Sequence, residues 1–366
     1  NDEADFVATK VLEILDSPLE EYPLGGGGES TPAFSHPSRG ELSTPSRKRA
    51  TPQEGNRNAL SEVAVLYRAN FQSRALEEAM LRHNIPYQVL GVKFFERKEI
   101  KDTLAYLRAA LNPDSLSDIK RIINFPARGI GKATLVKIFA NKRETLPIKM
   151  QIKINNFYQT LEEIKEKIKN LKTSEIIKFV VKKSGIETEL SSGTEEDMER
   201  LENIKELATL ALKYDNFTDG RGVEKLLEDA SLASDQDSLM INQDKNQQDQ
   251  QGLPLLKKEL NAVKLMTVHA SKGLEFKYVF ITGLEDGLFP HKKQNEAQTG
   301  EDREEERRLF YVALTRARSK LFLSFTNFRT IFGSRQINAP SEFISDIPAN
   351  LLEKEMETGG IKTIYL

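Results

Sequence analysis

Hydrophobic and polar residues follow two different periods along the chain, and the changes of period predict where strands and helices lie. A helical spacing near the start joins Val7, Val11, Ile14 and Leu15. After residue 60 the pattern predicts a buried strand, an amphipathic helix, a second short strand and another helix, over "EVAVLYR", "QSRALEEAMLRH", "YQVL" and "KEIKDTLAYLRAAL". The last helix carries one apolar stripe, formed by Ile100, Leu104, Leu107 and Leu111. This alternation predicts an α/β layer.

The middle of the chain has only the helical period. Residues 106–257 contain stretches such as "FYQTLEEIKEKIKNL" and "EDMERLENIKELATLALKY", with no convincing strand. Their glutamine-rich end, "DQDSLMINQDKNQQDQQG", is expected to be a flexible loop. Strand patterns return in "VKLMTV", "YVFITGL" and "KLFLSFT". We therefore predict one α/β domain, residues 1–105 and 258–350, interrupted by an all-helical insert and followed by a tail at residues 351–366.

Residues 23–58 have the Gly, Pro and Ser content that is typical of a disordered loop. The basic cluster Arg47, Lys48 and Arg49 lies inside this segment. It fits either a contact with nucleic acid or a well-solvated linker.

Composition narrows the class of protein. A chain of 366 residues is long enough for two domains, and the absence of cysteine excludes disulfides, thiol catalysis and cysteine metal sites. No apolar run approaches the roughly 20 residues of a membrane helix, so we expect a soluble, cytoplasmic protein with no membrane partner. The net charge of −2 does not indicate a nucleic-acid partner, but only a local surface needs to be basic. Because Asn1 stands close to a predicted helix start, we expect the chain to be a fragment.

One polar loop between two predicted strands is rich in chemically active side chains. It contains Thr267, His269, Ser271, Lys272, Gly273 and Glu275. Ligand-binding loops of open α/β sheets lie at the carboxyl ends of strands. The loop is therefore either a ligand site or a hydrated connection with a glycine turn.

A second candidate is the arginine that follows the helical stretch "EEERRLFYVAL". The inward stripe of this helix is Leu309, Val312 and Ala313. Arg316 falls four residues after Val312 and three after Ala313. On or near the buried side, its guanidinium requires an anion. That anion is either an internal carboxylate or a phosphate held between domains, in which case Arg316 is an arginine finger.

The stretch "ARGIGKAT" has the glycines and lysine of an ATP phosphate loop but fails the pattern twice. The first required glycine is replaced by Pro126, and Ala133 replaces the residue whose hydroxyl binds Mg²⁺. The order Gly129, Ile130, Gly131 instead fits a helix–hairpin–helix turn, in which backbone N–H groups approach a DNA phosphate. Flanking charge comes from Arg128 and Lys132. The alternative is a plain turn between two helices.

Four stretches in fixed order, "YRANFQSRALEEAML", "FFERKEIKDTLAYLR", "TVHASKGLEF" and "EEERRLFYVALTRA", closely resemble the UvrD/PcrA/Rep group of superfamily-one DNA helicases. The resemblance covers nearly the whole chain except residues 23–58, the glutamine-rich tract and the last residues. These helicases have two RecA-like domains with ATP between them, each carrying a helical insert. The chain resembles the second RecA-like domain with its insert, a P-loop NTPase-type fold without its own Walker A sequence.

The resemblance also implies roles for matching residues. Arg316 contacts the γ-phosphate as a catalytic residue, and Glu275 contacts the nucleotide ribose or its metal-bound end, with Gly273 in the same loop. Single-stranded DNA is faced by Arg68, Asn70, Thr267 and His269, with Lys98 and Lys101 as candidate backbone contacts. The glycine turn of the insert, Arg128 to Lys132, grips duplex DNA. The nucleotide is ATP with Mg²⁺, shared with a first RecA-like domain. Arg68 and Asn70 fit equally a strand end, and the two lysines fit equally a solvated helix face.

Several motifs of an ATP-driven motor are missing from the chain. There is no Walker A sequence, no acidic D-E-x-Q-D motif, and neither Q-S-I-Y nor N-Y-R-S. Since hydrolysis requires a phosphate cradle, a metal site and a residue that orients water, we expect no appreciable ATPase or unwinding from the chain alone.

Two other readings of function stay open from the sequence. The chain could be a stand-alone DNA-binding or regulatory module, although such a module has no need of Glu275 and Arg316. It could also be a fragment of a helicase–nuclease relative, because "YVALTRA" suits that branch too. Only about 40 residues follow "LFLSFT", and no nuclease domain is recognisable among them.

Overall fold

The computed structural model describes residues 2–16, 60–140, 142–245, 261–291, 300–331, 333–356 and 362–365. The predicted loop at 23–58, with its Arg47–Arg49 cluster, therefore lies outside the described residues.

A parallel sheet of five strands forms the α/β unit, in the order β2-β3-β1-β4-β5. Its strands are β1 (Val63–Tyr67), β2 (Tyr87–Val89), β3 (Val263–Thr267), β4 (Phe276–Ile281) and β5 (Ala317–Phe325). A separate antiparallel hairpin follows β5, made of β6 (Phe328–Ile331) and β7 (Ser334–Ile337). This topology confirms the predicted RecA-like α/β fold.

Alternate residues of each strand point to opposite faces of the sheet, and both faces are covered by helices. In β1, Val63 and Val65 enter one core, whereas Ala64 and Leu66 enter the other. The first core is closed by α1 (Asp2–Asp16) and α2 (Ser73–Arg82), and the second by α11 (Gly300–Leu314) and α12 (Glu342–Ser345). The result is a three-layer domain with a fully buried central strand.

The insert is helical throughout its described residues and has a core of its own. Its helices are α3 (Lys98–Leu111), α4 (Leu116–Ile122), α5 (Lys132–Phe139), α6 (Ile148–Ile168), α7 (Thr173–Ser184), α8 (Ile186–Ser191), α9 (Glu195–Ala211) and α10 (Arg221–Lys245). Ile100, Leu104 and Leu107 join this core, while Leu111 is 37% exposed. Helix α3 thus packs as part of the insert although it begins before the predicted boundary at residue 105.

Two segments differ from the sequence predictions. Residues 235–245 were expected in a flexible loop, but they continue α10 to Lys245. This prediction was wrong because the segment is polar yet contains good helix formers, and no glycine or proline interrupts it. The predicted tail also contains structure: β8 (Glu353–Met356) and β9 (Lys362–Tyr365) extend the sheet, with β9 antiparallel to β5.

The connection from β3 to β4 is unusually short for a crossover between parallel strands, which ordinarily needs a dozen or more residues and a helix. It passes over β1 with only residues 268–275 and one 3₁₀ turn, His269–Ser271. This loop therefore begins at the carboxyl edge of the sheet and finishes at the amino edge.

Candidate nucleotide and nucleic-acid sites

Two candidate nucleotide residues meet at the amino edge of the sheet. Glu275 directly precedes β4, Arg316 directly precedes β5, and Phe276 is paired with Ala317 across the two strands. The backbone N–H of Phe276 donates to the carbonyl of Arg316 at 2.9 Å, and Nη1 of Arg316 donates to the carbonyl of Leu274 at 2.9 Å. The two strand starts thus hold Glu275 and Arg316 side by side.

The Arg316 guanidinium is bonded to neutral groups only. Besides the Leu274 carbonyl, Nε donates to the carbonyl of Val312 at 3.0 Å, and Nη2 to the Thr315 hydroxyl at 2.9 Å. Within the described ranges no carboxylate pairs with Arg316, and the exposed side chain of Glu275 forms no ion pair there either. An arginine oriented in this way can accept an external anion without breaking an internal ion pair.

The position of this pair differs from the sequence expectation in two respects. Helix α11 ends at Leu314, so Arg316 follows the helix instead of extending its buried stripe. Glu275 and Arg316 lie at the amino ends of strands, whereas ligand loops were expected at carboxyl ends. The reason is the crossover loop, which carries the chain across the sheet between His269 and Glu275.

The carboxyl edge of the sheet gathers the residues expected to face single-stranded DNA. Thr267 ends β3, and its hydroxyl accepts the Ala270 N–H at 3.2 Å, which fixes the start of the 3₁₀ turn. Partial desolvation of the ring, reinforced by the positive charge of Arg68, lowers the pKa of His269. The imidazole is therefore neutral near pH 7 and offers directional hydrogen bonds instead of charge.

Arg68 and Asn70, at the end of β1, already bind carboxylates of the chain itself. Arg68 is bidentate to Glu306 of α11, with Nη2–Oε1 at 2.6 Å and Nε–Oε2 at 3.1 Å. Asn70 donates its side-chain amide to Glu199 of α9 at 3.1 Å. A DNA phosphate at either residue must compete with these internal partners.

Lys98 and Lys101 lie on the first turn of α3. The ammonium of Lys98 stands over the Phe125 ring, 5.7 Å from its centroid, and Lys101 forms an ion pair with Glu96. Lys98 is exposed and forms no ion pair with any residue that the structure describes, so it is the more available cation of the two.

The glycine turn of the insert joins α4 to α5. Gly129 has φ +70°, a conformation that L side chains rarely adopt, and Gly131 caps α5 with open space around its Cα. Ile130 is buried, and the Asn124 amide oxygen accepts the N–H groups of Arg128 and Ile130 at 2.9 and 3.1 Å. The turn is thus rigid, with Lys132 exposed at the start of α5.

Arg128 has a structural role that the sequence did not indicate. Its guanidinium donates to the carbonyls of Pro126 and Ser184, both at 3.1 Å, and to the Tyr106 hydroxyl at 3.0 Å. It also lies over the Phe157 ring, 5.4 Å from the centroid. The side chain points into the insert instead of outward, which leaves Lys132 and the turn backbone as the exposed candidates for duplex contact.

Two residues of the carboxyl edge were missed by sequence reasoning. His291, which follows "GLFP" after β4, donates its backbone N–H to Glu306 Oε2 at 3.0 Å. Its Nδ1 is buried and lacks a hydrogen-bond partner in the described structure, and burial lowers the pKa of the ring. The only local indication was the histidine at the end of "GLFPH", ten residues beyond β4. The pairing of Glu306 with Arg68 joins positions 238 apart and had no local pattern.

A buried ion-pair network fixes the β6–β7 hairpin at the same edge. Glu285, fully buried after β4, accepts bonds from Arg329 Nε at 2.9 Å, Asn338 Nδ2 at 2.6 Å and the Thr326 N–H at 2.9 Å. Arg329 also pairs with Glu3 of α1. These bonds to the charged form hold the pKa of Glu285 below its ordinary value despite its burial.

Comparison with known families decides where the chain belongs. The model of the UvrD-like helicase C-terminal domain matches residues 47–328. The chain belongs to this family. All the candidate residues described above for nucleotide and DNA, from Arg68 to Arg316, fall inside the matched range of the UvrD-like C-terminal domain. Most of the β6–β7 hairpin and the strands β8 and β9 lie beyond it.

Curated relatives of this UvrD-like domain are described as ATP-dependent DNA helicase PcrA. One from Staphylococcus epidermidis is 38% identical over 310 residues, covering 80% of this chain and 40% of the relative. Another from Staphylococcus aureus is 36% identical over 315 residues, covering 81% of this chain and 41% of the relative. The chain thus spans about two fifths of the length of the curated relatives it matches.

Two kinds of feature are absent from the described residues. None of their helices is long and apolar enough to cross a membrane. No group of three or more acidic, histidine or cysteine side chains among them could hold a metal ion.

Proposed function

We propose that the chain is the C-terminal part of an ATP-dependent DNA helicase that translocates 3′ to 5′ along single-stranded DNA. The observation that carries this proposal is the amino edge of the sheet. Among the described residues, Arg316 bonds only to neutral groups there, next to an exposed Glu275. The direction of travel rests on the family resemblance alone.

At the nucleotide, the chain supplies the closing half of a shared site. Arg316 contacts the γ-phosphate and stabilises charge that develops there, while Glu275 contacts the ribose or the metal-bound end of the nucleotide. Gly273, with φ +85° and open space around it, lets the backbone of the same loop approach a ligand closely. A first RecA-like domain provides the phosphate cradle, the Mg²⁺ site and the residue that orients water, since the chain has no Walker A sequence.

At the single strand, the carboxyl edge provides directional and charged contacts. Thr267, His269 and Asn70 offer hydrogen bonds, and Arg68, Lys98 and Lys101 offer charge to the backbone phosphates. The crossover loop supports a connection between the two edges, because one loop carries His269 at its start and Glu275 at its end.

At the duplex, the insert grips the backbone through its glycine turn. Free N–H groups at the start of α5, together with Lys132, form an anion-binding surface that suits a DNA phosphate. The bonds from the Arg128 and Ile130 N–H groups to Asn124 hold the turn rigid. This rigidity supports the role because the N–H groups at the start of α5 need no reordering when a phosphate binds.

The experiment that tests the proposal is steady-state ATPase at saturating single-stranded DNA, without and with a first RecA-like domain added in trans. We expect no appreciable turnover from the chain alone and DNA-stimulated turnover from the mixture. Turnover by the chain alone within tenfold of an intact PcrA relative would refute the split site.

A further inference from the structure

The ion pair between Arg68 and Glu306 differs from the other contacts of the candidate DNA residues because it is bidentate and largely buried. The two side chains are only 15% and 10% exposed, and the bonds from Arg68 Nη2 and Nε to Oε1 measure 2.6 and 2.9 Å. The planar fork of a guanidinium matches a carboxylate and a phosphodiester in the same way, and it cannot hold both at once.

The two partners belong to different parts of the sheet. Arg68 follows β1 at the carboxyl edge, close enough to His269 and His291 to influence the titration of both rings. Glu306 lies in α11, and this helix ends at Leu314, two residues before Arg316. Eight residue steps along the helix, from Glu306 to Leu314, correspond to about 12 Å, so one rigid element joins the Arg68 partner to the segment that precedes Arg316.

The carboxylate keeps a partner if Arg68 leaves. Glu306 Oε2 accepts the backbone N–H of His291 at 3.0 Å, independently of the guanidinium. Release of Arg68 therefore leaves the carboxylate with one charge-assisted hydrogen bond, which lowers the cost of the uncompensated buried charge. The pair is built so that one partner can be exchanged.

We propose that Glu306 is a positioning residue that occupies Arg68 until a phosphate of the single strand replaces it. The exchange removes the link between α11 and the end of β1, so the segment that carries Arg316 responds to strand binding at the opposite edge of the sheet. This inference rests on the proposed function, because it requires a DNA strand at the carboxyl edge.

The test is a double-mutant cycle in the 366-residue chain, with oligothymidine binding measured across a range of salt. Glu306→Gln removes the competing charge but keeps an acceptor for the His291 N–H. We expect this variant to bind about fivefold or more tightly than the native chain, in the range of ordinary coupling between sites. Arg68→Ala should weaken binding and reduce the salt slope by about 0.7, one phosphate contact to a single strand. In the Arg68→Ala background, Glu306→Gln should then have no further effect.

The control for a general charge effect is Glu304→Gln, two positions away on the same helix, where the carboxylate is 61% exposed and only loosely paired with Arg307. It should bind as the native chain does. If Glu306→Gln still tightens oligothymidine binding in the Arg68→Ala background, or does not tighten it at all, the proposed exchange of Glu306 for a phosphate at Arg68 is overturned. If Glu306→Gln does not fold, Glu306→Asp replaces it, because the shorter carboxylate cannot keep both bonds, and we expect a smaller gain in the same direction.

Hydrogen exchange of the backbone at residues 312–318 tests the link to Arg316. Oligothymidine should change exchange there in the native chain, and Glu306→Gln should show the DNA-bound rate before DNA is added. Identical exchange in all states overturns the link. If the native chain binds no oligothymidine at all, the DNA part of the proposed function fails and the inference fails with it, whereas native binding with an unresponsive Glu306→Gln overturns the exchange alone.

Discussion

The two edges of the central sheet present their charged residues in opposite ways. At the amino edge, Arg316 bonds to carbonyls and a hydroxyl, and Glu275 is exposed. At the carboxyl edge, Arg68 and Asn70 bind carboxylates that come from α11 and α9. Within the described residues, the Arg316 charge has no carboxylate partner, whereas the Arg68 charge is neutralised by Glu306.

Under the proposed function, this difference separates the two ligands. Arg316, which pairs with no carboxylate among the described residues, would take a phosphate without breaking an ion pair, and a second domain would complete that site. Arg68 and Asn70 would have to exchange their internal carboxylates for DNA, which would weaken binding and make it reversible, as stepping along a strand requires.

The largest effect should come from Arg316→Ala, which removes the guanidinium from the amino edge of the sheet. With the first domain present, loss of an arginine finger should lower DNA-stimulated kcat by about 10³-fold or more. Thermal stability should stay unchanged, since Arg316 has no ion pair to lose within the described part of the chain. The neighbouring Arg318→Ala is the control, because Arg318 lies at the same edge of the sheet but is neutralised by an internal ion pair with Glu62. An unchanged kcat in Arg316→Ala removes the residue from the mechanism.

The carboxyl edge should instead depend on its internal pairs for stability. Glu285→Ala leaves Arg329 short of a buried partner, and we expect a loss of about 3–5 kcal/mol in the free energy of unfolding. Urea denaturation measures this loss. Glu342→Ala is the matched control: its pair with Arg303 is exposed, with Nε–Oε1 at 2.8 Å, and should contribute less than about 1 kcal/mol. Equal effects of the two changes would contradict the special role of the buried network.

The glycine turn of the insert differs from both edges of the sheet, because its candidate donors are backbone N–H groups instead of charged side chains. Gly131 has φ −78° and open space where an alanine Cβ would lie, so Gly131→Ala should leave stability unchanged. If the turn backbone binds a DNA phosphate, the added Cβ of Gly131→Ala occupies the space through which the phosphate approaches the N–H groups. Loss of one such hydrogen bond by obstruction costs about 1.5 kcal/mol, which is about tenfold in duplex affinity. Gly129→Ala, at φ +70°, should in addition destabilise the insert by about 1 kcal/mol. If neither variant changes the affinity for duplex DNA, the segment is a plain turn between two helices.

The smallest effect concerns Glu202 on α9, which faces the carboxyl edge near Arg68. Burial raises its pKa from 4.5 to about 7. The folded state thus holds the proton more tightly than the unfolded state, so the contribution of this group is favourable below pH 4.5 and is lost as the pH rises to 7. Glu202→Gln should stabilise the chain by roughly 1 kcal/mol at about pH 8 and not at about pH 4. Urea denaturation at the two pH values measures the effect. The control is Glu196→Gln on the same helix, where the glutamate side chain is 75% exposed, and it should leave the free energy of unfolding unchanged at both pH values.

Sequence patterns predicted the elements that repeat a local period. The strand at Val63–Tyr67 follows from a continuous apolar run, since a central strand is buried on both faces, and the apolar stripe of α3 follows from a helical spacing. Helix α10 was cut short in the prediction, since its last turns are polar and carry no apolar period. Strands β8 and β9 were missed for a related reason: they join the sheet through the pairing of β9 with β5, some 40 residues earlier.

For the candidate sites, the sequence named candidate residues but not the partners that the structure gives them. Glu275 and Arg316 were named from motifs, but their meeting at the amino edge depends on strand register. The inward turn of Arg128 depends on carbonyls from Pro126 and Ser184, and the Arg68 pair on a helix far away in the chain. Such contacts are set by tertiary packing, which no local spacing encodes.

The crossover between β3 and β4 has one further consequence. By strand register, the loop must descend about six residues of sheet, roughly 20 Å, and pass two strand spacings sideways. Eight residues that include a 3₁₀ turn can barely reach that far, so the tether between His269 and Glu275 has almost no slack. A displacement at one end cannot be absorbed along the way, and one added residue in this tether should let the two ends move independently.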